Sequence, residues 1–349
     1  MRIAQVSPLF ESVPPKLYGG TERIVSYLTE ELVKRGHEVT LFASGDSQTS
    51  ARLVSPWCCA LRLHKECLDQ VVHHFTMMEM VQMEIENFDI VHYHIDYLHF
   101  PLSSRSRKPN ISTVHGRLDI PDLVPLYNQY KGIPLVSISN FQQKPFPDNN
   151  WVGNVYHGLP QNLYNANYNN GKYLAFVGRF SRDKRPDRAI ELAIRTGIPI
   201  KLAAKIGDQD IEYYESVVKP LLNHPLVEFV GEIGESEKNE FLGNALALVF
   251  LIDWPEPFGL VMIEAMACGT PVVAWRNGSV PEVIDDGVSG IVVDSMDEAI
   301  HAMNVIGELD RRKVRETFEM RFSVEKMTDS YLQLYQKMIE YKSVSEIKI

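Results

Sequence analysis

The sequence predicts an α/β protein built from two doubly wound domains, each a parallel sheet covered by helices. Three observations lead to this class. Short apolar runs typical of buried strands alternate with amphipathic helical segments through both halves of the chain. A polar stretch rich in asparagine, tyrosine and glycine, residues 162–171, separates the two series and is interpreted as a linker. The length of 349 residues favours two domains over one.

The first series begins with a predicted strand over residues 2–6. A turn leads to Gly19 and Gly20, and apolar residues then recur at helical spacing over 24–33. Gly36 is placed to end this helix in a left-handed conformation. Predicted strands follow at residues 38–43, 89–94, 111–114 and 135–138. Alternation of this kind implies right-handed crossovers and a parallel sheet.

The second series repeats the pattern after the polar stretch. Its predicted strands span residues 173–177, 200–203, 227–229, 246–251, 271–274 and 290–293. Its predicted helices span residues 186–196, 210–223 and 236–244, and the chain looks helical from Met296 almost to its end. In open parallel sheets, ligands bind beyond the carboxyl ends of the strands, so we expect the functional residues there.

Composition excludes several classes of protein. A net charge of -10 argues against a protein that binds duplex nucleic acid, which needs a basic surface. The most apolar run, residues 245–252, is too short to span a bilayer, and strand-like sequence from Met1 leaves no room for a signal peptide. Four cysteines, with Cys58 and Cys59 adjacent, form neither a disulfide framework nor a C-x2-C metal spacing. We expect a cytoplasmic protein without a metal ion.

The most informative segment is WPEPFGLVMIEAMACGTP, residues 254–271, which follows a predicted strand. Pro257 suits the first position of a helix, and Gly269 with Pro271 provides a helix stop. We therefore expect the backbone N–H groups of Phe258, Gly259 and Leu260 to form an anion site suited to a diphosphate.

Two glutamates frame that expected site. Glu264 lies eight residues after Glu256, which is roughly 12 Å along a helix at about 1.5 Å per residue. One carboxylate could hold a sugar hydroxyl and the other the ribose hydroxyls, because each carboxylate oxygen accepts charge-assisted hydrogen bonds. The alternative is an ordinary helix with acids that face solvent.

These residues resemble the signature of glycosyltransferase family 4, whose members are retaining enzymes of the GT-B fold that use nucleotide sugars. The resemblance implies two Rossmann-like domains that face each other across a cleft. Residues 1–160 would bind the acceptor, residues 161–322 would bind the donor, and a last helix at about 323–349 would pack back on the first domain. It further implies that Glu256 contacts the transferred sugar and Glu264 the ribose.

A basic pair also matches this family. Arg179 and Lys184 follow the first predicted strand of the second domain in the run GRFSRDK. They resemble the arginine and lysine that neutralise the diphosphate. Fixed cations at this place would stabilise the negative charge that grows on the leaving phosphate. Without the glutamate segment nearby, two basic residues after a strand would be read as solvated.

His115 ends a predicted strand of the first domain and resembles the family's histidine that reaches the donor sugar. Structural histidines are commoner than ligating ones when no family match is present. Gly19 and Gly20 could let backbone approach the phosphates, because glycine carries no Cβ. No G-x-G-x-x-G nicotinamide fingerprint occurs.

Three further positions are assigned to ligand binding. Asn140 and His157 face the expected cleft, although His157 replaces an asparagine usual in the family. Lys205 could add a charge near the nucleotide or could extend from a strand end into solvent. These departures leave the base and the donor sugar open, with uridine diphosphate sugars as the default and guanosine or adenosine forms as alternatives.

A competing pattern is His92, His94 and Asp96, which resembles half of a metallohydrolase site. Tyr97 stands where that pattern would require a histidine, so a strand end without metal is the favoured interpretation. The basic loop 103–108 is interpreted as solvated, with contact to an anionic membrane surface as the alternative.

The resemblance thus implies transfer of a sugar from a nucleotide diphosphate to an acceptor hydroxyl, without a metal ion or other cofactor. The acceptor, whether glycan, lipid or small molecule, is not specified, and peripheral contact with the inner face of the membrane stays open. A sugar-nucleotide epimerase or hydrolase and a non-catalytic sensor are the alternatives. Four aromatic residues would help to shape the acceptor side, and core packing explains them equally well: Tyr18, Trp57, Phe100 and Tyr127.

Overall fold

The computed structural model describes residues 1–16, 19–62, 64 and 66–347. The chain divides into two compact units. The first unit comprises Met1–Pro160 and Val324–Ile349, and the second unit comprises Gln161–Ser323. Each unit contains one sheet, and every strand pair within these sheets is parallel. The predicted α/β class with two doubly wound sheets is confirmed.

The first unit holds a sheet of seven strands. They are β1 (Arg2–Val6), β2 (Glu38–Phe42), β3 (Arg52–Val54), β4 (Ile90–Tyr93), β5 (Asn110–Thr113), β6 (Leu135–Ser137) and β7 (Trp151–Asn154). Their order is β3-β2-β1-β4-β5-β6-β7. The direction of winding reverses between β1 and β4, so the loops that follow these two strands meet at a topological switch point.

The second unit holds a sheet of six strands. They are β8 (Tyr173–Arg179), β9 (Ile200–Lys205), β10 (Val227–Gly231), β11 (Ala245–Phe250), β12 (Val272–Trp275) and β13 (Gly290–Val293). Their order is β10-β9-β8-β11-β12-β13, and the switch point lies between β8 and β11. The segments that follow these two strands carry the predicted basic pair and the predicted glutamates.

Helices cover both sheets. In chain order they are α1 (Gly20–Lys34), α2 (Gln70–Glu84), α3 (Phe100–Ser103), α4 (Leu123–Gln129), α5 (Pro186–Thr196), α6 (Ile211–Tyr213), α7 (Lys219–Leu221), α8 (Glu235–Gly243), α9 (Leu260–Ala267), α10 (Val280–Val283), α11 (Met296–Ala302), α12 (Arg311–Arg321) and α13 (Val324–Ile347). Within the described part of the chain, no helix combines the length and apolar character needed to cross a bilayer.

The predicted helix over residues 210–223 is interrupted. Between α6 and α7 the backbone makes a π turn, Tyr214–Val218. Pro220 lies near the start of α7, and proline has no N–H to donate to the carbonyl one turn earlier. A wider turn accommodates that missing hydrogen bond.

The polar stretch 162–171 is not a free linker, which corrects the prediction. It is held inside the second unit by α12 and by the end of α9. Arg311 donates from Nε to the carbonyl of Asn167 at 2.7 Å, and the backbone N–H of Asn167 donates to the carbonyl of Cys268 at 2.9 Å. Within this stretch only the side chain of Tyr164 is buried, so the segment is held mainly through its backbone.

The last helix, α13, belongs to the first unit. Its first residue, Val324, donates its N–H to the carbonyl of Leu159 at 2.8 Å. Tyr331 and Tyr335, one turn apart, are buried against the first sheet. An ion pair between Arg35 of α1 and Asp329 at 2.5 Å fixes the outer face of the helix. The C-terminal segment therefore completes the first unit after the chain has built the second.

Candidate functional site

A compact charged cluster lies at the switch point of the second sheet. Lys184, five residues after β8, pairs with the Glu256 carboxylate, which follows β11 and is 7% exposed. The indole Nε1 of Trp254 donates to the same carboxylate at 3.0 Å. The Lys184 ammonium also lies 4.6 Å from the centre of the Trp254 ring. A carboxylate this buried is stabilised by such charged and polar partners.

The backbone at Glu256 is held by a neighbouring turn. Ser279 donates its N–H to the carbonyl of Glu256 and its hydroxyl to the carbonyl of Phe258, both at 2.9 Å. Gly278 has φ of +59°, and a Cβ there would lie 2.3 Å from the backbone nitrogen and oxygen of Glu256. Only glycine fits this close approach, so the turn positions the carboxylate.

The helix with the second glutamate starts later than predicted. The chain leaves Glu256 through a loop, and α9 begins at Leu260, not at Pro257. Gly259 has φ of +82°, a left-handed conformation that interrupts the helical run. Phe258 and Gly259 therefore precede the helix, and only Leu260 of the predicted anion site is helical. The estimate of 12 Å between the glutamates along one helix does not apply, because Glu256 is not helical.

Glu264 is buried on α9 and is paired with a residue that sequence reasoning missed. The Nζ of Lys238, from α8, lies 2.7 Å from Oε1 of Glu264. The carboxylate is only 4% exposed, and a buried carboxylate without a partner would be costly. The ion pair with Lys238 offsets the cost of burying this carboxylate.

Arg179 ends β8 and forms an ion pair with Asp210 rather than with the Lys184 and Glu256 cluster. Its Nε lies 3.0 Å from Oδ2 of Asp210. Lys205 is its neighbour across the sheet, in register at the end of β9. Three predicted cations, Arg179, Lys184 and Lys205, thus follow or end β8 and β9 in the second unit.

In the first unit, three histidines lie near the carboxyl ends of β4 and β5. His94 Nδ1 lies 2.9 Å from His115 Nε2, and His94 Nε2 lies 2.7 Å from Gln5 Oε1. His92 lies between the Tyr335 hydroxyl, 2.7 Å from Nδ1, and the Thr113 hydroxyl, 2.7 Å from Nε2. Gln5 Nε2 donates to the Tyr335 hydroxyl at 2.9 Å. The last helix is thereby joined to the histidines by side-chain hydrogen bonds.

These hydrogen bonds determine which nitrogen of each ring carries a proton. The Gln5 carbonyl can only accept, so His94 Nε2 carries a proton and donates it. Neutral His94 then accepts at Nδ1 from the protonated Nε2 of His115. His115 Nδ1 is left as a bare acceptor, buried and without a hydrogen-bond partner among the described residues. Nδ1 of His115 can therefore accept a hydrogen bond from a hydroxyl group.

Burial keeps these rings neutral. It lowers the pKa of His115 to about 3 and the pKa of His94 well below its ordinary value, with charge on neighbouring rings adding to the effect on His94. Burial raises the pKa of Asp96 to about 6, partly opposed by a hydrogen bond from the backbone of His115. At neutral pH the cluster acts through neutral imidazoles, as the proton assignment requires.

The remaining predicted residues of the first unit fall into two groups. The ring of His157 stacks on His115 with 5.2 Å between ring centres, so the structure brings these two together. Asn140 is exposed after β6. Gly19 precedes α1 and is packed on Pro15, with its expected Cβ position only 2.7 Å from the Pro15 Cβ, whereas Gly20 is exposed.

Two family models match adjoining parts of the chain. The model described as Glycosyltransferase Family 4 matches residues 18–182, and the model described as Glycosyl transferases group 1 matches residues 164–318. Together they reach from the Gly19 loop through both glutamates. Over residues 18–318 the chain is similar to family 4 glycosyltransferases.

Relatives of this chain carry glycosyltransferase names. The chain is 34% identical over 152 residues to the D-inositol 3-phosphate glycosyltransferase of Mycolicibacterium smegmatis, covering 40% of this chain and 33% of that protein. It therefore spans about a third of the length of that relative. It is 27% identical over 289 residues to an uncharacterized glycosyltransferase of Methanocaldococcus jannaschii, covering 73% of this chain and 77% of that protein.

A solved structure shares the fold of this chain. The Anabaena protein HepE, crystallised in complex with UDP, matches with a TM-score of 0.75 and 16% sequence identity, covering 97% of this chain and all of that one. The two sheets and their flanking helices accordingly constitute the GT-B fold.

The competing metal pattern in the first unit is not supported by the geometry. Both ring nitrogens of His92 and of His94 are engaged in hydrogen bonds, and both side chains are buried. His99 is likewise held by two serine hydroxyls. The described residues therefore use these histidines as buried hydrogen-bonding groups, not as a shared set of metal ligands.

Other interpretations of the first unit also change. Phe100 and Tyr127 are core residues, nearly inaccessible to solvent, so they do not line a binding surface. Trp57 is half-buried, and Tyr18 lies outside the described residues. In the basic loop, Lys108 pairs with Glu86 at 2.9 Å, which reduces the charge available to an anionic surface.

The residues that sequence reasoning missed had weak signals. Lys238 lies in the acidic run ESEKNE and looks like a solvated charge. Gln5 lies within a strand, and Tyr331 and Tyr335 have the spacing of ordinary core residues on a helix. Gly278 follows Asn277, a dipeptide that predicts a turn but not which side chain the turn supports.

Loss of Lys238 is expected to destabilise the second unit. In Lys238→Met the Glu264 carboxylate stays buried without its cation, so we expect the free energy of unfolding to fall by about 3 kcal/mol. Urea denaturation followed by circular dichroism measures the change. The matched control is Lys219→Met, whose pair with Glu215 is exposed on both sides and should contribute little to stability. Equal effects of the two substitutions would contradict the assignment.

Replacement of Gln5 is expected to disturb the histidine chain. Gln5→Met keeps the length but leaves the His94 N–H and the Tyr335 hydroxyl without this partner, at a cost of about 1–3 kcal/mol. Nitrogen-15 NMR of the histidine rings should then show His94 and His115 as mixtures of tautomers. Gln336→Met on the exposed face of α13 is the control, with an expected change below about 0.5 kcal/mol. An unchanged His115 tautomer in Gln5→Met would refute the proton assignment.

Proposed function

We propose that this protein is a glycosyltransferase that moves a sugar from a nucleotide diphosphate sugar, with UDP sugars as the first candidates, to an acceptor hydroxyl. We propose further that the anomeric configuration is retained and that no metal ion takes part. The observation that carries the proposal is the pair of Lys184 and Glu256 at the switch point of the second sheet, accompanied by a second buried carboxylate, Glu264.

The second unit is proposed to bind the donor. Glu264 would accept hydrogen bonds from the ribose hydroxyls, while Arg179, Lys184 and Lys205 would offset the charge of the diphosphate. The backbone around Phe258, Gly259 and Leu260 lies between the two glutamates in sequence and would face the phosphates. HepE, which shares this fold, was crystallised with UDP, and this supports a uridine nucleotide as the first choice.

The ion pairs seen in the structure are compatible with this role. An ammonium has three N–H donors, so Lys184 can hold Glu256 and a phosphate oxygen together. Arg179 is paired with Asp210 through one edge of a guanidinium that has five N–H donors. Both cations can therefore meet the diphosphate without giving up the partners that position them.

The chemistry follows from the charges. The bond between the anomeric carbon and the phosphate oxygen breaks, and its electron pair stays on the phosphate, where Arg179 and Lys184 stabilise it. The sugar passes through an oxocarbenium-like state, to which the carboxylate of Glu256 gives electrostatic support through the sugar hydroxyls. The acceptor oxygen then bonds to the anomeric carbon on the same face, and its proton passes to the leaving phosphate.

The first unit is proposed to contribute a hydrogen-bond acceptor and the acceptor-binding surface. His115 Nδ1, a neutral and buried acceptor, would receive a hydrogen bond from a hydroxyl group of a bound substrate. His157, stacked on His115, would fix the ring plane, and exposed Asn140 would contact substrate directly. The acceptor class is a hydroxyl compound, whether glycan, lipid or small molecule.

Thermal unfolding against a panel of nucleotide diphosphates and their sugars, with EDTA present, tests the proposal. A ligand that binds only the folded state raises its apparent stability, by about 2.7 kcal/mol at a concentration 100 times its Kd. We expect one nucleotide to raise the unfolding temperature of the wild type and to lose most of that effect in Glu264→Ala. A Glu215→Ala variant, altered at an exposed ion pair, should respond like the wild type.

Analysis of the reaction products then distinguishes a transferase from an epimerase, a hydrolase or a sensor. Transfer to an acceptor from a screened set, by the protein in EDTA, is the expected result. Conversion of the donor in the absence of any acceptor would favour an epimerase or hydrolase. Donor binding without turnover over a broad acceptor set would favour a sensor, and no stabilisation by any nucleotide would overturn the proposal.

A further inference from the structure

A second cluster of reactive side chains lies in the loop after β3, apart from every residue given a role in sugar transfer. Cys58, Cys59 and His64 each bring one ligand atom to within 4.8 Å of the others. The sulfur atoms of Cys58 and Cys59 are 3.7 Å apart. All three residues belong to the described part of the chain, and none of the described residues elsewhere forms such a group of three or more histidine, cysteine or acidic side chains.

The sulfur separation agrees with ligands of one tetrahedral metal ion. Zinc binds thiolate sulfur at about 2.3 Å, so two sulfurs in a tetrahedral site are about 3.8 Å apart. The corresponding separation of sulfur and imidazole nitrogen is roughly 3.6 Å. The His64 nitrogen needs to approach by about 1 Å at most, which a rotation of its side chain supplies.

The surroundings of His64 also indicate that one of its ring nitrogens is suited to bind a metal ion. Its Nδ1 is buried and has no hydrogen-bond partner among the described residues. The ring packs edge-on against Trp57, with 5.8 Å between ring centres. A buried imidazole nitrogen normally binds a hydrogen-bond donor or acceptor or a metal ion. A metal ion would supply the partner that Nδ1 of His64 lacks among the described residues.

Backbone contacts hold this loop against the rest of the first unit, so folding itself brings the three side chains of the cluster together. Gly45 donates its N–H to the carbonyl of Trp57 at 2.8 Å. It also packs closely on Cys58, because a Cβ at position 45 would lie 2.9 Å from the Cys58 carbonyl oxygen. Farther along, Leu61 donates its N–H to the carbonyl of Leu9 at 2.9 Å. A site whose ligands are placed by folding loses less entropy when it binds an ion.

We propose that Cys58, Cys59 and His64 bind one zinc ion per chain. Two sulfurs and one imidazole nitrogen form a ligand set that zinc prefers, and the exposed side of Cys58 leaves the fourth position to water. Adjacent cysteines do not have the usual C-x2-C spacing, which is why the sequence alone did not suggest this site. Bound zinc would tie the loop after β3 to the turn that contains His64 and would stabilise the first unit.

Zinc titration of the reduced chain, freed of any affinity tag and followed by competition with a chromophoric chelator, tests the proposal. We expect one zinc ion per chain in the wild type. Cys59→Ser and His64→Gln should each raise the Kd about 100-fold, since each removes one of three ligands. Cys67→Ser is the control and should bind like the wild type, because Cys67 is a half-buried cysteine of the same loop outside the cluster.

A measurement on the wild type guards against variants that fail to fold. Cobalt(II) in place of zinc should give a near-ultraviolet sulfur-to-metal charge-transfer band and the visible bands of a tetrahedral site. Circular dichroism checks that each variant is folded. The absence of stoichiometric zinc binding by the wild type, or unchanged affinity in Cys59→Ser and His64→Gln, would overturn the proposal. Neither result bears on sugar transfer, which is tested in EDTA.

Discussion

Glu256→Gln is expected to lower turnover of the donor by about 100- to 1,000-fold, because the amide keeps the shape of the carboxylate but removes its charge. In the structure this carboxylate is paired with Lys184 and receives a hydrogen bond from Trp254. The substituted side chain can still accept from the indole. The loss should therefore appear in kcat more than in nucleotide binding, since the nucleotide is assigned to other residues.

The measurement uses the donor identified by thermal unfolding, with turnover followed by release of the nucleoside diphosphate. Thermal stabilisation by that diphosphate should stay close to the wild-type value in Glu256→Gln. Glu215→Gln, at an exposed ion pair, is the matched control and should keep full activity. Full activity in Glu256→Gln would remove the central residue from the proposed mechanism.

Acidification is expected to unfold the first unit between about pH 6.5 and 5. Burial is the main cause that lowers the pKa of five of its histidines below the ordinary value of 6.5, namely His92, His94, His99, His115 and His157. A depressed histidine pKa means that the unfolded chain binds protons in a range where the folded chain does not. Stability is therefore complete above pH 6.5 and is lost as the pH falls.

The size of this effect follows from the number of groups. Each such histidine lowers the free energy of unfolding by at most about 1.4 kcal/mol for each pH unit below 6.5. Asp96, whose pKa is raised to about 6, acts in the opposite direction, since its neutral form is favoured in the folded state at lower pH. Burial also raises the pKa of Glu22, which acts in the same direction as Asp96. Five histidines outweigh two carboxyls, so we expect a net loss of several kcal/mol by pH 5, comparable with the whole stability of a typical domain.

Urea midpoints measured from pH 8 to pH 5 test this expectation. His99→Gln should reduce the slope below pH 6.5 by about one proton, because burial lowers the pKa of His99 to about 3 in the folded chain. His301→Gln, on an exposed face of the second unit, should leave the slope unchanged. A midpoint independent of pH over this range would show that the buried histidines do not determine acid stability.

Much of the fold could be predicted from local sequence because strands and helices leave periodic patterns. The helix over residues 186–196 is observed with those bounds, as Pro186 to Thr196. The alternation of strands and helices also implied parallel sheets, since each crossover places the next strand in the same direction. The predictions failed where backbone contacts are made at long range. In residues 162–171, for example, nothing in the local sequence indicates that Arg311 binds the carbonyl of Asn167.

In the candidate site, too, the residues with a local sequence signal were predicted and their long-range partners were missed. Glu256 and Glu264 were singled out because their residue type and their place after a strand suit the chemistry. Lys184 and His115 were singled out mainly by the resemblance to the family. The side chains that form ion pairs or hydrogen bonds with these residues were not predicted. Lys238 approaches Glu264 from a different helix, and Gln5 reaches His94 from a strand 89 residues earlier in the chain. Such pairs leave no local pattern, since nothing near either residue in sequence requires the other.

By itself the sequence determined the class of fold and the family to which the chain is similar, because periodicity, helix-ending residues and the spacing of the two glutamates are local properties. The tertiary structure alone decided which charges are neutralised, which nitrogen of His115 carries the proton and which thiols meet His64. These depend on burial and on distances between segments far apart in the chain, and both come into existence only when the chain folds.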